Sequence, residues 1–150
     1  MMNQQTPQAP GTQVPQQGRQ AMQTGQRYQD VISPQDQAAI ENLARAIQVC
    51  EWCADECVQL ADPNMIECIR LCEDVSALGQ TALTLTPRRS QHTQQHLQTV
   101  LQVVQACAQE CSQHQHTHCQ ECAQVLGQAA QSIQQSLQQG TPPGQQLSGY

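Results

Sequence analysis

Cys53 and Cys57, Cys68 and Cys72, and Cys107 and Cys111 are each four residues apart. On a helix that spacing sets two side chains on one face, with Cβ atoms about 5–6 Å apart. Two thiolates so placed can swing together and grip one ion that accepts two ligands. Cys119 and Cys122 are three apart and can pair with each other or reach across to Cys50. Soft sulfur selects Cu(I), although zinc and iron–sulfur clusters take it too. Zinc asks for four thiolates converging tetrahedrally, usually from loops or turns. Iron–sulfur clusters commonly use tightly spaced cysteines in loops. Pairs laid along helices favour copper by geometry and exclude neither alternative.

The rest of the chain sets the compartment in which nine cysteines must be read. No basic segment followed by an apolar run marks the N-terminus, and no apolar stretch approaches bilayer length. The expectation is a cytoplasmic protein in a reducing environment, where an odd number of cysteines points to thiolate ligands before disulfides. A net charge of −6, no Lys, and only Tyr28, Trp52 and Tyr150 to stack on bases argue against a nucleic-acid surface.

The cysteines need elements to hold them, and the period of the sequence predicts four helices. Residues 1–32 and 140–150 are rich in Gln, Pro, Gly and Thr and poor in large apolar side chains. They bury too little to offset the entropy of ordering, so both are expected to be disordered tails around one domain at 33–139. Ser33-Pro34-Gln35-Asp36 reads as a helix start, with Ser as N-cap and Pro in the first turn. The first seam then runs through Ile40, Leu43, Ile47, Cys50, Ala54 and Cys57, at three- and four-residue steps. Asp62-Pro63 ends that helix and caps the second, whose seam is Met65, Cys68, Cys72, Val75, Gly79 and Ala82. Thr86 to Ser90 breaks the second helix, and Ser90 can cap the third. There the seam is Leu97, Val100, Val104, Cys107 and Cys111. Ser112 to Thr117 makes a turn, and the fourth helix carries Cys119, Cys122, Leu126, Ala129 and Ile133.

Short connections favour antiparallel neighbours, so the fold class is all-α, an antiparallel up-down-up-down four-helix bundle. That topology brings the end of the first helix, the start of the second, the end of the third and the start of the fourth to one pole. Eight cysteines lie on the seams, and Cys53 lies one step around from its seam. The opposite pole receives Ile40, Leu43, Val75, Leu78, Leu97, Val100, Ala129 and Ile133, an aliphatic core. Free cysteine packs well as a small buried hydrophobe, but eight seam cysteines concentrated at one end exceed what packing alone asks for.

Met65 begins its seam at the thiol end, His118 precedes Cys119, and His114 and His116 lie in the neighbouring turn. Met65 and His118 can take a copper ion in transit and pass it inward, or they can fill a core gap and a solvated turn. His114 and His116 read as solvated turn residues, and His92 and His96 as a surface pair at the far pole. Glu51, Glu56, Glu67, Glu73, Glu110 and Glu121 read as a solvated face that also concentrates cations. Trp52 falls on the outward side of the first helix and invites cover from a loop or a second subunit.

The stretches Cys50-Glu-Trp-Cys53-Ala-Asp-Glu-Cys57, Cys68-Ile-Arg-Leu-Cys72-Glu-Asp-Val75, Cys107-Ala-Gln-Glu-Cys111 and His114-Gln-His116-Thr-His118-Cys119-Gln-Glu-Cys122-Ala-Gln-Val125-Leu126 carry a resemblance. Over residues 34–138 the chain resembles the four-helix-bundle, cysteine-rich copper-binding and copper storage proteins. The resemblance implies several Cu(I) ions on inward cysteines without catalysis, often in an oligomer of bundles, with copper ions and a copper chaperone as partners. Storage members carry cysteines along nearly the whole core. Here Val75, Gly79, Val100, Val104, Leu126 and Ala129 occupy much of it, which implies a smaller capacity and leaves storage, buffering and delivery open. The competing readings are a structural zinc or iron–sulfur protein and a thiol-redox protein. For the last, Cys50-x-x-Cys53 has no surrounding βαβ pattern, and burial opposes a reactive thiolate.

Overall fold

The computed structural model describes residues 25–140. Gly25–Val31 form one unit, in which Tyr28–Val31 make a single helical turn. That turn lies within the stretch expected to be a disordered tail. Residues 1–24 and 141–150 of the expected tails lie outside the described residues, and Gly140, also expected in a tail, is the last residue of the final helix.

From Ile32 onward the described residues form a second unit. Its elements are helices α1 (Pro34–Leu60), α2 (Ile66–Leu85), α3 (Thr93–Ser112) and α4 (Thr117–Gly140), with a 3-10 turn at Pro63–Met65. No strand occurs among the described residues. No described helix is long and apolar enough to cross a membrane.

The boundaries follow local chemistry. Ser33 takes extended backbone angles and its hydroxyl accepts from the Asp36 amide at 3.0 Å, with Pro34 in the first turn. This satisfies one of the orphan amides that every helix start leaves. α1 stops at Ala61, which is left-handed at φ 52° and returns its amide to the Val58 carbonyl. Asp62 caps the 3-10 turn through the Asn64 amide at 3.0 Å, so the second α-helix begins at Ile66, three residues after the expected start at Pro63. Ser90 likewise accepts from the His92 amide at 3.2 Å, capping the turn that leads into α3.

Each long helix packs along two others: α1 and α3 both lie against α2 and α4. The start of α1 is joined to the end of α4 by Ser136 and Gln139 donating to Asp36 at 2.5 and 3.0 Å, and by Gln139 donating to Ser33 at 2.6 Å. Asn42 donates to Ser132 at 2.5 Å one step further along. At the far end of α1, Cys57 meets Cys119 at the start of α4.

One half of the core is aliphatic, with Leu43, Ile47, Val75, Leu97, Val100, Val104, Leu126, Ala129 and Ile133 buried, and the other half is sulfur. Two expected core positions differ. Ile40 and Leu78 are only half-buried, and Ala39 takes the innermost place at the start of α1. A helix seam fixes spacing but not absolute rotation, so Ala39 fills the inward place expected of Ile40. At mid-helix Gly79 admits a close neighbour. A Cβ there would stand 3.0 Å from Ile47 Cδ1, 3.1 Å from Ile47 Cγ1 and 3.3 Å from Leu43 Cδ1. Gly79→Leu is therefore expected to destabilise the metal-free protein by about 1–3 kcal/mol through overpacking, read as a lower urea midpoint with unchanged slope.

Candidate metal centre

Four helix ends supply the sulfur. The last turns of α1 bring Cys50, Cys53 and Cys57, and the 3-10 turn with the start of α2 brings Met65, Cys68 and Cys72. The end of α3 brings Cys107 and Cys111, and the start of α4 brings Cys119 and Cys122. All nine cysteines are free thiols, and each is at most 1% exposed. Cys53 is as buried as the rest, because α1 faces two neighbours and its inward arc is wider than one seam.

The sulfurs approach mainly across helices. Cys68 lies 3.5 Å from Cys111, 3.8 Å from Cys57 and 3.9 Å from Cys53. Cys72 and Cys107 are 3.6 Å apart, Cys50 and Cys122 3.7 Å, and Cys57 and Cys119 3.9 Å. Of the four-residue pairs read from sequence, Cys107–Cys111 is in sulfur contact at 3.9 Å. Cys119 and Cys122 each find a partner on α1, the second of them the expected Cys50. Three groups converge so that every sulfur lies within 4.8 Å of the others: Cys53–Cys57–Cys68–Cys119, Cys53–Cys68–Cys72–Cys111 and Cys50–Cys72–Cys122.

So many thiols in a dry space cannot all ionise. Burial, then the charges of Cys53 and Cys68, push the Cys57 thiol up, and the same effects push Cys119 up. The neighbouring Cys107, Cys122 and Cys72 thiols lower Cys50, against the cost of burial. Cys107 first, then Cys122 and Cys53, lower Cys111. Cys57, Cys72, Cys107, Cys119 and Cys122 are all pushed up and keep their protons. A soft cation arriving here takes the place of those protons.

At the thiol end Met65 is buried. His118 is 9% exposed, and its Nε2 has no hydrogen-bond partner. The His116 ring stacks on it in parallel, with centroids 5.3 Å apart, and Trp52 meets it edge-on at 6.2 Å. His116 is exposed, as expected of a turn residue, and only its stacking on His118 was unforeseen. The His-x-His repeat before Cys119 was the available signal. Trp52 is 41% exposed, partly covered by this contact within the chain. His114 pairs with Glu110 at 2.9 Å, and Glu51, Glu67, Glu73 and Glu121 are exposed. At the other pole His96 donates to the Leu78 carbonyl at 2.8 Å, away from the sulfurs.

A family model described as copper storage protein matches residues 33–138. No curated protein matches the chain. Among solved structures, the copper storage protein Ccsp of Streptomyces lividans loaded with 10 copper equivalents is similar at 29% identity and a TM-score of 0.64, over 69% of this chain and 83% of that one. The Streptomyces lividans cytosolic copper storage protein with five coppers matches at the same identity and TM-score, over 69% and 92%. The apo form of copper storage protein 3 from Bacillus subtilis shares the fold at 24% identity and a TM-score of 0.62, over 67% and 97%.

Proposed function

The chain belongs to the copper storage protein family, and from that premise we propose that its core thiols hold several Cu(I) ions as a store or buffer, without catalysis. The observation that carries this is the burial of nine free thiols in one continuous cluster at one end of the domain. Cu(I) is soft and accepts two or three sulfurs, so pairs 3.5–3.9 Å apart across helices need only small side-chain rotations to admit it between them. A closed structural zinc site uses four thiolates of its own. The two four-thiol groups share Cys53 and Cys68 and the third group holds three sulfurs, so the cluster does not divide into separate four-thiolate sites.

In this reading the ligands are Cys50, Cys53, Cys57, Cys68, Cys72, Cys107, Cys111, Cys119 and Cys122. Met65 and His118 hold an ion in transit at the mouth, the latter through its unpartnered Nε2. The domain is residues 33–139, folded as an antiparallel up-down-up-down four-helix bundle. The start-to-end contacts of α1 with α4 support that direction. A cytoplasmic location suits thiols that must stay reduced, and one relative is described as cytosolic. Delivery by a copper chaperone at the thiol end, and assembly into a homo-oligomer, complete the proposal.

The test is titration of the reduced chain with Cu(I) against a competing chromophoric chelator. Several equivalents per chain are expected before the chelator begins to take copper. Retention of one equivalent or fewer, or stoichiometric zinc or acid-labile sulfide in protein isolated from copper-replete cells, would overturn the assignment.

A further inference from the structure

The column formed by Cys68 and Cys72 on α2 continues four residues on to Ser76. Ser76 is 6% exposed, and its hydroxyl is buried without any hydrogen-bond partner. A helical serine has an easy remedy in the carbonyl four residues back. Thr84 takes it from Gln80 at 3.2 Å, and Thr86 at the end of the same helix takes it from Ala82 at 2.7 Å. Ser76 does not. Side chains on a helix lean toward its N-terminus, so the hydroxyl leans over the turn that carries Cys72.

Cys72 belongs to two convergent groups, the four-sulfur Cys53–Cys68–Cys72–Cys111 and the three-sulfur Cys50–Cys72–Cys122. The three-sulfur group is the one short of a ligand, and Val75, one helical turn beyond Cys72, is buried and aliphatic. We propose that Ser76 is a positioning residue for copper, its hydroxyl donating a hydrogen bond to a thiolate of this three-sulfur group once a Cu(I) ion is bound. A hydroxyl oxygen is a hard donor and a poor Cu(I) ligand, so its part is to stabilise the anionic sulfur and not to touch the metal. Metal binding takes the thiolate form of cysteine, so the anionic sulfur that Ser76 serves comes into being with the ion. This inference rests on the copper reading and adds a residue to it.

The experiment compares wild type, Ser76→Ala and Ser76→Cys, each metal-free and Cu(I)-loaded. Ser76→Ala removes a buried hydroxyl that has no partner in the metal-free chain, so its melting temperature is expected to rise by a few degrees. In the loaded state the sign reverses. The most tightly held Cu(I) is expected to transfer to a chelator about tenfold more readily, the effect of losing a hydrogen bond to a charged acceptor. Ser76→Cys supplies a fourth sulfur and is expected to retain copper at least as tightly as wild type. The proposal is overturned if Ser76→Ala gives up copper as wild type does, or if its melting temperature moves by the same amount in both states. Failure of the wild type itself to hold several Cu(I) ions would instead sink the copper reading.

Discussion

Replacing Cys68 with Ser will remove more than one Cu(I) equivalent from the chain. Cys68 touches sulfurs on α1 and α3 and belongs to both four-thiol groups, so its loss leaves each of them with three. A hydroxyl of nearly the same size cannot substitute, being a hard ligand where a soft one is needed. Cys107 gives the contrast. It contacts Cys72 and Cys111 but belongs to none of the three convergent groups, so Cys107→Ser is expected to remove one equivalent at most. Both variants are read by the copper retained at a fixed chelator concentration, with helical circular dichroism to confirm folding. Equal losses from the two substitutions would show that the convergent groups are not the binding units.

Acidification is the second large effect. Burial holds the Cys57 and Cys119 thiols above their ordinary range, so both carry protons in the metal-free chain at neutral pH. An ion bound between them must displace two protons, and binding therefore weakens as protons become more abundant. Below the thiol pKa values, each unit of pH lost is expected to weaken such a site by about 100-fold, one factor of ten for each displaced proton. The sign is fixed: affinity rises with pH, and loading acidifies a weakly buffered solution. Chelator competition at pH 7 and pH 6, corrected for the chelator's own titration, measures the slope. A flat response would mean that the ligands are not protonated thiols.

Much of this was legible in the spacing of residues. The inward run of cysteines followed from three- and four-residue steps, and their gathering at one end followed from short connections and chain direction. Sulfur partnership was less legible. Spacing along one helix suggested Cys53 with Cys57 and Cys68 with Cys72, yet the shortest contacts join Cys68 to Cys111 and Cys72 to Cys107. Which sulfurs meet across helices depends on relative height and rotation, set by residues such as Gly79 that admit a close neighbour. Ile40 and Leu78 lost their expected burial for the same reason. Ser132 and Ser136 gave no signal at all, since a buried serine looks like a surface one until its surroundings are known. For Ser76 alone there was a trace, its place four residues beyond Cys72.

Cys53, Cys68 and Cys72 each sit in two groups at once. A thiolate has lone pairs enough to bridge two cations, so neighbouring ions would be tied through common atoms and could not be counted as separate occupants. An ion moving deeper would exchange one sulfur at a time and never stand bare. The protein would then behave less like a row of lockers than like a stack, in which the first arrivals travel furthest and the last to join are the first to leave.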